Sequence, residues 1–123
     1  MVDMAASALD RVFRALASAP RREILRRAAH QRCTVTQLAE HFDMTLAAVS
    51  KHIRVLEQAN LLCPTHEGRL HWCQLNPETL DPARSSIEEL RTFWNKRLDG
   101  LERFLVSERS RVRRAPRPRR GRR

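Results

Sequence analysis

"TLAAVSKHIRVLEQANLL", residues 45–62, decides how the rest of the chain is read. Thr45 is a helix-capping residue type, and Val49, Ile53 and Leu56 recur at the spacing of one helical face. Ser50, Lys51 and Arg54 fall outside that seam, behind the small residues Ala47 and Ala48. Such a helix is either an ordinary solvated amphipathic helix or one whose free side meets an anionic partner. The flanking sequence separates the two.

Upstream, Thr34 and Gln37 fit the capping-box pattern T-x-x-Q, which predicts a helix through Val35, Leu38, Ala39 and Phe42. "FDMT" then makes a tight turn, with Asp43 at a position that commonly needs positive φ. Two further helices are expected before it. The first, over residues 4–17, places Leu9, Val12, Phe13 and Leu16 on one side. The second, "RREILRRAAH", follows a break at "SAP" and turns Ile24, Leu25 and Ala28 inward, with Pro20 in its first turn.

Downstream the period changes. "LLCPTHEGRLHWCQLN" is rich in strand formers and broken by "EG", the pattern of a hairpin. "NPETLDP" is a linker, and a long helix is predicted from Pro82 to about Ser107. Along it Ile87, Leu90, Trp94, Leu98, Leu101, Phe104 and Leu105 form one stripe, close to a heptad spacing. There is no internal repeat.

The chain has 123 residues, enough for one domain with a small core. Its net charge of +10 is unevenly placed, because "RSRVRRAPRPRRGRR", residues 109–123, holds nine Arg and no acid. Removing those nine leaves 15 basic residues against 14 acidic ones in residues 1–108. The expected organisation is a folded domain over 1–108 and a disordered Arg-rich tail over 109–123. No run reaches the roughly 18 apolar residues of a membrane span, and no secretory leader pattern opens the chain. The expected setting is therefore the cytoplasm, without membrane partners. Cys33, Cys63 and Cys73, an odd count without C-x-x-C spacing, are expected to be free thiols.

Two short helices joined by a tight turn, the first with a small residue (Ala39) against the second, make a helix-turn-helix. The second helix must bury a narrow face and keep its N-terminal outer face free for the major groove. That accounts for the division of residues 45–62: Ser50 for bases or phosphates, Lys51 and Arg54 for phosphates. The expected fold is mainly α with a small β-hairpin wing, a winged helix-turn-helix with a long C-terminal dimerisation helix.

Residues 9–76 resemble the winged helix-turn-helix of the ArsR/SmtB bacterial repressors. The resemblance rests on "ALASAPRREILRRA", "TQLAEHFDMTLAAVSKHIRVLEQANLL" and "EGRLHWCQLNPETL". With the terminal "FWNKRLDGLERFL" it extends over about residues 5–107 and is similar to a branch that does not sense metals. It implies a bacterial homodimer that binds a pseudo-palindromic operator in double-stranded DNA, represses transcription and sits on the nucleoid when bound. By matching position it implies Thr45, Ala47, Ser50, Lys51, His52 and Arg54 as helix contacts and Arg69 as the wing contact. His52 either donates to a phosphate or hydrogen-bonds within the motif. Leu46 departs from the Gln or other polar residue of many relatives, and it can only touch a thymine methyl or turn inward. The implied dimer pairs Leu9 and Phe13 of the first helix with Leu90, Trp94, Leu98, Leu101 and Leu105 of the last, rather than packing that stripe on its own domain.

The metal-sensing positions of the family are not matched: the helix before the recognition helix has only Cys33 near it, and the terminal helix has no His. No metal or cofactor is therefore expected, and the inducer is unknown. One alternative is a thiol- or metal-responsive repressor sensing through Cys63, His71 and Cys73, which a three-residue hairpin turn would bring together. Another is a winged-helix interaction module without DNA binding. No acid pair, phosphate loop or nucleophile motif points to an enzyme.

Overall fold

Thr34 sets the start of the helix-turn-helix in the computed structural model, which describes residues 4–114 and the side chains of residues 7–113. Its hydroxyl accepts the Gln37 N–H at 3.1 Å, and the Gln37 side chain accepts the Thr34 N–H at 3.0 Å. The capping box is thus complete. The elements are α1 (Met4–Leu16), α2 (Ala19–His30), β1 (Cys33–Thr34), α3 (Val35–Ala39), α4 (Leu46–Gln58), β2 (Leu62–Glu67), β3 (Leu70–Leu75), a 3-10 turn (Pro77–Leu80) and α5 (Asp81–Arg114). Among the described residues no helix is long and apolar enough to cross a membrane.

The chain divides into two units after Ser85. In the first, the apolar seams of the helices meet in one core: Val12 and Ala15 of α1, Ile24, Leu25 and Ala28 of α2, Leu38 of α3, and Val49, Ile53 and Leu56 of α4. Leu61, Leu62 and Cys73 continue that core beneath the sheet. Each of the larger side chains gains about 1.5–3 kcal/mol from its burial.

α3 is shorter than its sequence pattern suggests. It ends at Ala39, and i→i+3 bonds from His41 N–H to Leu38 O and from Phe42 N–H to Ala39 O tighten the chain into the turn. Asp43 does not adopt positive φ; among the described non-glycine residues only Asn60 does, at φ 60°. The reason lies at the end of α4. Leu61 N–H bonds Leu56 O and Asn60 N–H bonds Glu57 O, each at 2.9 Å, which is a Schellman closure with Asn60 at its left-handed position. The closure ends α4 at Gln58 and turns Leu61 into the core above Leu56.

The sheet has three strands, in the order β1-β3-β2, not two. Cys33–Thr34, just ahead of the α3 cap, pairs with β3 as Cys33 with Cys73 and Thr34 with Trp72. The hairpin turn uses two residues, Gly68 and Arg69, because Glu67 pairs with Leu70. Gly68 supplies the required positive φ, 61°. This register sets Cys63 opposite Gln74 and Cys73 opposite Pro64. The expected meeting of Cys63 with Cys73 therefore does not occur; the cysteine facing Cys73 is Cys33.

The second unit, from residue 86, is the greater part of α5. Ile87, Leu90, Trp94, Leu98, Leu101, Phe104 and Leu105 of its stripe are each more than half exposed. The helix continues to Arg114, past the expected end near Ser107, so residues 109–114 of the expected disordered tail are helical. Arg is a good helix former, Glu108 pairs with Arg111 at 3.2 Å, and no proline intervenes before Pro116. Residues 115–123 lie outside the described residues.

Leu56→Ala is expected to lower the unfolding free energy by about 2–5 kcal/mol, because it opens a cavity at the junction of α4 and the sheet. Leu46→Ala, at an exposed site on the same helix, is expected to stay within about 0.5 kcal/mol. Urea unfolding followed by circular dichroism measures both.

Candidate nucleic-acid interface

The outer face of α4 begins at its cap. Thr45 Oγ1 accepts the Ala48 N–H at 3.1 Å, so its hydroxyl oxygen serves the helix end while the residue itself is exposed. Leu46 and Ala47 stand exposed in the first turn, and Lys51 and Arg54 are exposed one and two turns on. Leu46 is 54% exposed, so of the two expectations for it, turning inward does not hold. Ser50 is half-buried. It lines a cleft of about 250 Å³ with Val35, Ile53, Arg54, Glu57 and His71. The result is a helix flank bearing an apolar side chain, a hydroxyl and two cations, held by the buried seam on its other side. Arg69 is exposed beside Gly68 at the hairpin tip.

His52 is half-buried, and its Nδ1 lies 3.3 Å from Nη1 of Arg21. A guanidinium has donors only, so Nδ1 accepts and the proton of a neutral ring sits on Nε2. The hydrogen bond within the fold, one of the two roles expected for His52, is present. Arg21 also donates through Nε to Ala15 O at 2.8 Å and through Nη2 to Arg14 O at 3.0 Å. It thereby satisfies carbonyls at the C-terminus of α1.

Beneath the cleft lies a cluster that crosses from α4 to the sheet. His71 Nε2 and Glu57 Oε1 are 2.6 Å apart. Cys73, two residues along β3 and on the same face, is fully buried. The ligand atoms of Glu57, His71 and Cys73 all lie within 4.8 Å of one another. Burial pushes the Cys73 thiol up to about 12, and the nearby Glu57 carboxylate and Cys33 add to the effect. On the other face of the hairpin, Arg32 stacks its guanidinium 4.2 Å from the Trp72 ring centre and reaches Glu67 at 3.3 Å.

The expected DNA residues thus sort into exposed positions on α4 and the wing (Thr45, Ala47, Lys51, Arg54, Arg69) and half-buried ones (Ser50, His52). Of the expected dimer residues, Leu9 packs partly on the core and Phe13 is 37% exposed, while the α5 set is open. Sequence reasoning missed Glu57, Arg21 and Arg32. Glu57 carries a weak signal, since it follows Ile53 by four residues at the edge of the buried seam. Arg21 and Arg32 carry none, being two of many arginines.

Comparison with known proteins agrees with this architecture. A family model described as a helix-turn-helix domain matches residues 11–62. The chain is 35% identical over 99 residues to the HTH-type transcriptional regulator Rv2034 of Mycobacterium tuberculosis, covering 80% of this chain and 90% of that one. It is 30% identical over 88 residues to the transcriptional repressor SdpR of Bacillus subtilis, covering 72% and 94%. The crystal structure of an ArsR family transcriptional regulator matches with a TM-score of 0.70 at 30% identity, over 77% of this chain and 97% of that one. These relatives are regulators of transcription, not enzymes.

Thiol labelling should separate the cysteines. Exposed Cys63 is expected to react with iodoacetamide in the native protein. Cys73, buried and held protonated at neutral pH, is expected to react only on unfolding. Peptide mapping by mass spectrometry reads the order; modification of Cys73 at the rate of Cys63 would contradict it.

Proposed function

The chain belongs to the ArsR family of winged helix-turn-helix transcriptional regulators, and we propose that it works as a homodimeric repressor reading a pseudo-palindromic operator through α4. The observation that carries this reading is the division of α4: Val49, Ile53 and Leu56 in the core, Leu46, Ala47, Lys51 and Arg54 in solvent. In the major groove, Lys51 and Arg54 neutralise phosphates, Ser50 and Thr45 bond bases or phosphates, and Leu46 and Ala47 make close apolar contact. Arg69 at the wing tip meets the neighbouring backbone or minor groove. His52 acts through Arg21, holding α4 rather than touching bases. SdpR, named as a repressor, supports the sign of regulation.

The dimer is supported by the α5 stripe. Leu90, Trp94, Leu98, Leu101 and Leu105 leave a row of large apolar side chains in water, which isolated soluble helices do not sustain. In the proposed dimer they pair across a two-fold axis with Leu9 and Phe13. Two recognition helices then lie about 34–36 Å apart, one turn of the duplex. The nine arginines from Arg109 to Arg123 carry positive charge with no acid among them, so they add affinity to any DNA alike.

Duplexes selected by the protein from a random pool supply the operator. On that operator, Lys51→Ala and Arg54→Ala are each expected to weaken binding and to reduce the slope of log affinity against log salt by about 0.9. An unchanged slope in both variants, measured by fluorescence anisotropy, would reject α4 as the reading helix and favour an interaction module that does not bind DNA.

Light scattering is expected to give the mass of two chains at micromolar concentration. Leu98→Glu, which buries a charge in the proposed seam, is expected to give one chain and to weaken operator binding with it. A wild-type mass of one chain would remove the dimer from this reading.

A further inference from the structure

The cluster beneath the α4 cleft has chemistry that DNA recognition leaves unused. The geometry points to a site for a thiophilic divalent cation of the zinc type, held by the Glu57 carboxylate, His71 Nε2 and Cys73 Sγ. The inference does not rest on DNA binding, since it concerns the first unit alone.

Three observations carry it. The ligand atoms come from α4 and β3 and already lie within 4.8 Å of one another. With metal–ligand lengths of about 2.0–2.3 Å, a tetrahedral ion needs them about 3.3–3.8 Å apart, so side-chain adjustments of about an ångström suffice. The donor set is selective as well. Thiolate and imidazole with one carboxylate suit zinc and its softer neighbours, whereas magnesium and calcium take oxygen alone. The surroundings also suit an ion. Cys73 is fully buried, Glu57 and His71 are half-buried, and two anionic ligands balance a charge of +2. His71 Nε2 and Glu57 Oε1 already lie 2.6 Å apart, and an ion bound by both takes the place of that direct contact. On binding, the Cys73 S–H bond breaks as the metal–thiolate bond forms and its proton passes to solvent; His71 binds as neutral imidazole with its N–H on Nδ1, Glu57 binds as carboxylate, and no electrons move.

This set differs from the one suggested by the sequence pattern. Cys63 is exposed and opposite Gln74, so it takes no part, and Glu57 replaces it. Because Glu57 lies on the recognition helix and His71 and Cys73 on the wing, an ion here ties the two together under Ser50 and Arg54, which line the same cleft. Cys33 faces Cys73 across the β1–β3 pair, so a disulfide between them is the competing chemistry, and reduced thiols are a condition of the test.

The test titrates the full chain, with thiols kept reduced, with cobalt(II) as a spectroscopic stand-in for zinc. Expected are one ion per chain, the visible bands of tetrahedral cobalt, a near-ultraviolet thiolate-to-cobalt band, and displacement of all three by zinc. Cys73→Ser is expected to lose the thiolate band and Cys63→Ser to keep it. Glu57→Gln and His71→Gln, with folding checked by circular dichroism, are expected to bind at least about tenfold more weakly. Zinc is expected to raise the Tm of the wild type and, at the same concentration, to raise that of Glu57→Gln by less. The proposal is overturned by a wild type that shows no band at large cobalt excess, by a band that persists in Cys73→Ser, or by one lost in Cys63→Ser.

Discussion

The bond from Leu61 N–H to Leu56 O is the constraint on which the rest of the first unit depends. It closes α4 within one residue and sends the chain into β2 with Leu61 and Leu62 already buried. If α4 ran on for another turn, the apolar pair would face water and the hairpin would begin out of register with the core. Asn60 makes the closure possible, since its left-handed backbone costs an ordinary side chain about 1–2 kcal/mol and costs Asn less. Thr79 reinforces it by donating its hydroxyl to Asn60 O at 2.6 Å, while Asn76 N–H returns to Leu61 O at 2.9 Å. The end of α4, the start of the sheet and the approach to α5 are one hydrogen-bonded knot.

From that knot the two faces of α4 follow. Its buried seam meets Leu38 and Ile24 on one side and the sheet on the other. The rotation left over is small, and it is the rotation that determines which side chains stand in solvent. The proposed DNA-reading flank is therefore set by packing that contains no DNA-reading residue.

What was legible in the sequence was whatever depends on local spacing. The caps at Thr34 and Thr45, the seams of four helices and the break at Pro20 each follow from residues within a turn of one another. What was not legible depends on pairing between distant segments. β1 is two residues long and doubles as the approach to a helix cap, so it has no strand pattern of its own. The hairpin register turns on whether Gly68 and Arg69 alone make the turn. A three-residue turn would set Cys63 opposite Cys73; the two-residue turn sets Pro64 there, and the cysteine facing Cys73 is Cys33 on β1. The Glu57–His71 contact depends on that register and on the rotation of α4 together. Asp43 was expected to have positive φ because turns of this kind commonly require it; here successive i→i+3 bonds do the turning without it.

Arg21 gives the domain a stiff diagonal. One end of its guanidinium is fastened to the last carbonyls of α1, at Arg14 and Ala15, and the other to the His52 ring on α4. Both ends sit on rigid helices, and the planar fork cannot bend to absorb a shift. Arg21 thus joins the C-terminal end of α1 to α4 by polar contacts, beside the apolar core in which the same two helices also meet. The His52 ring and the α1 carbonyls therefore compete for the orientation of one planar guanidinium.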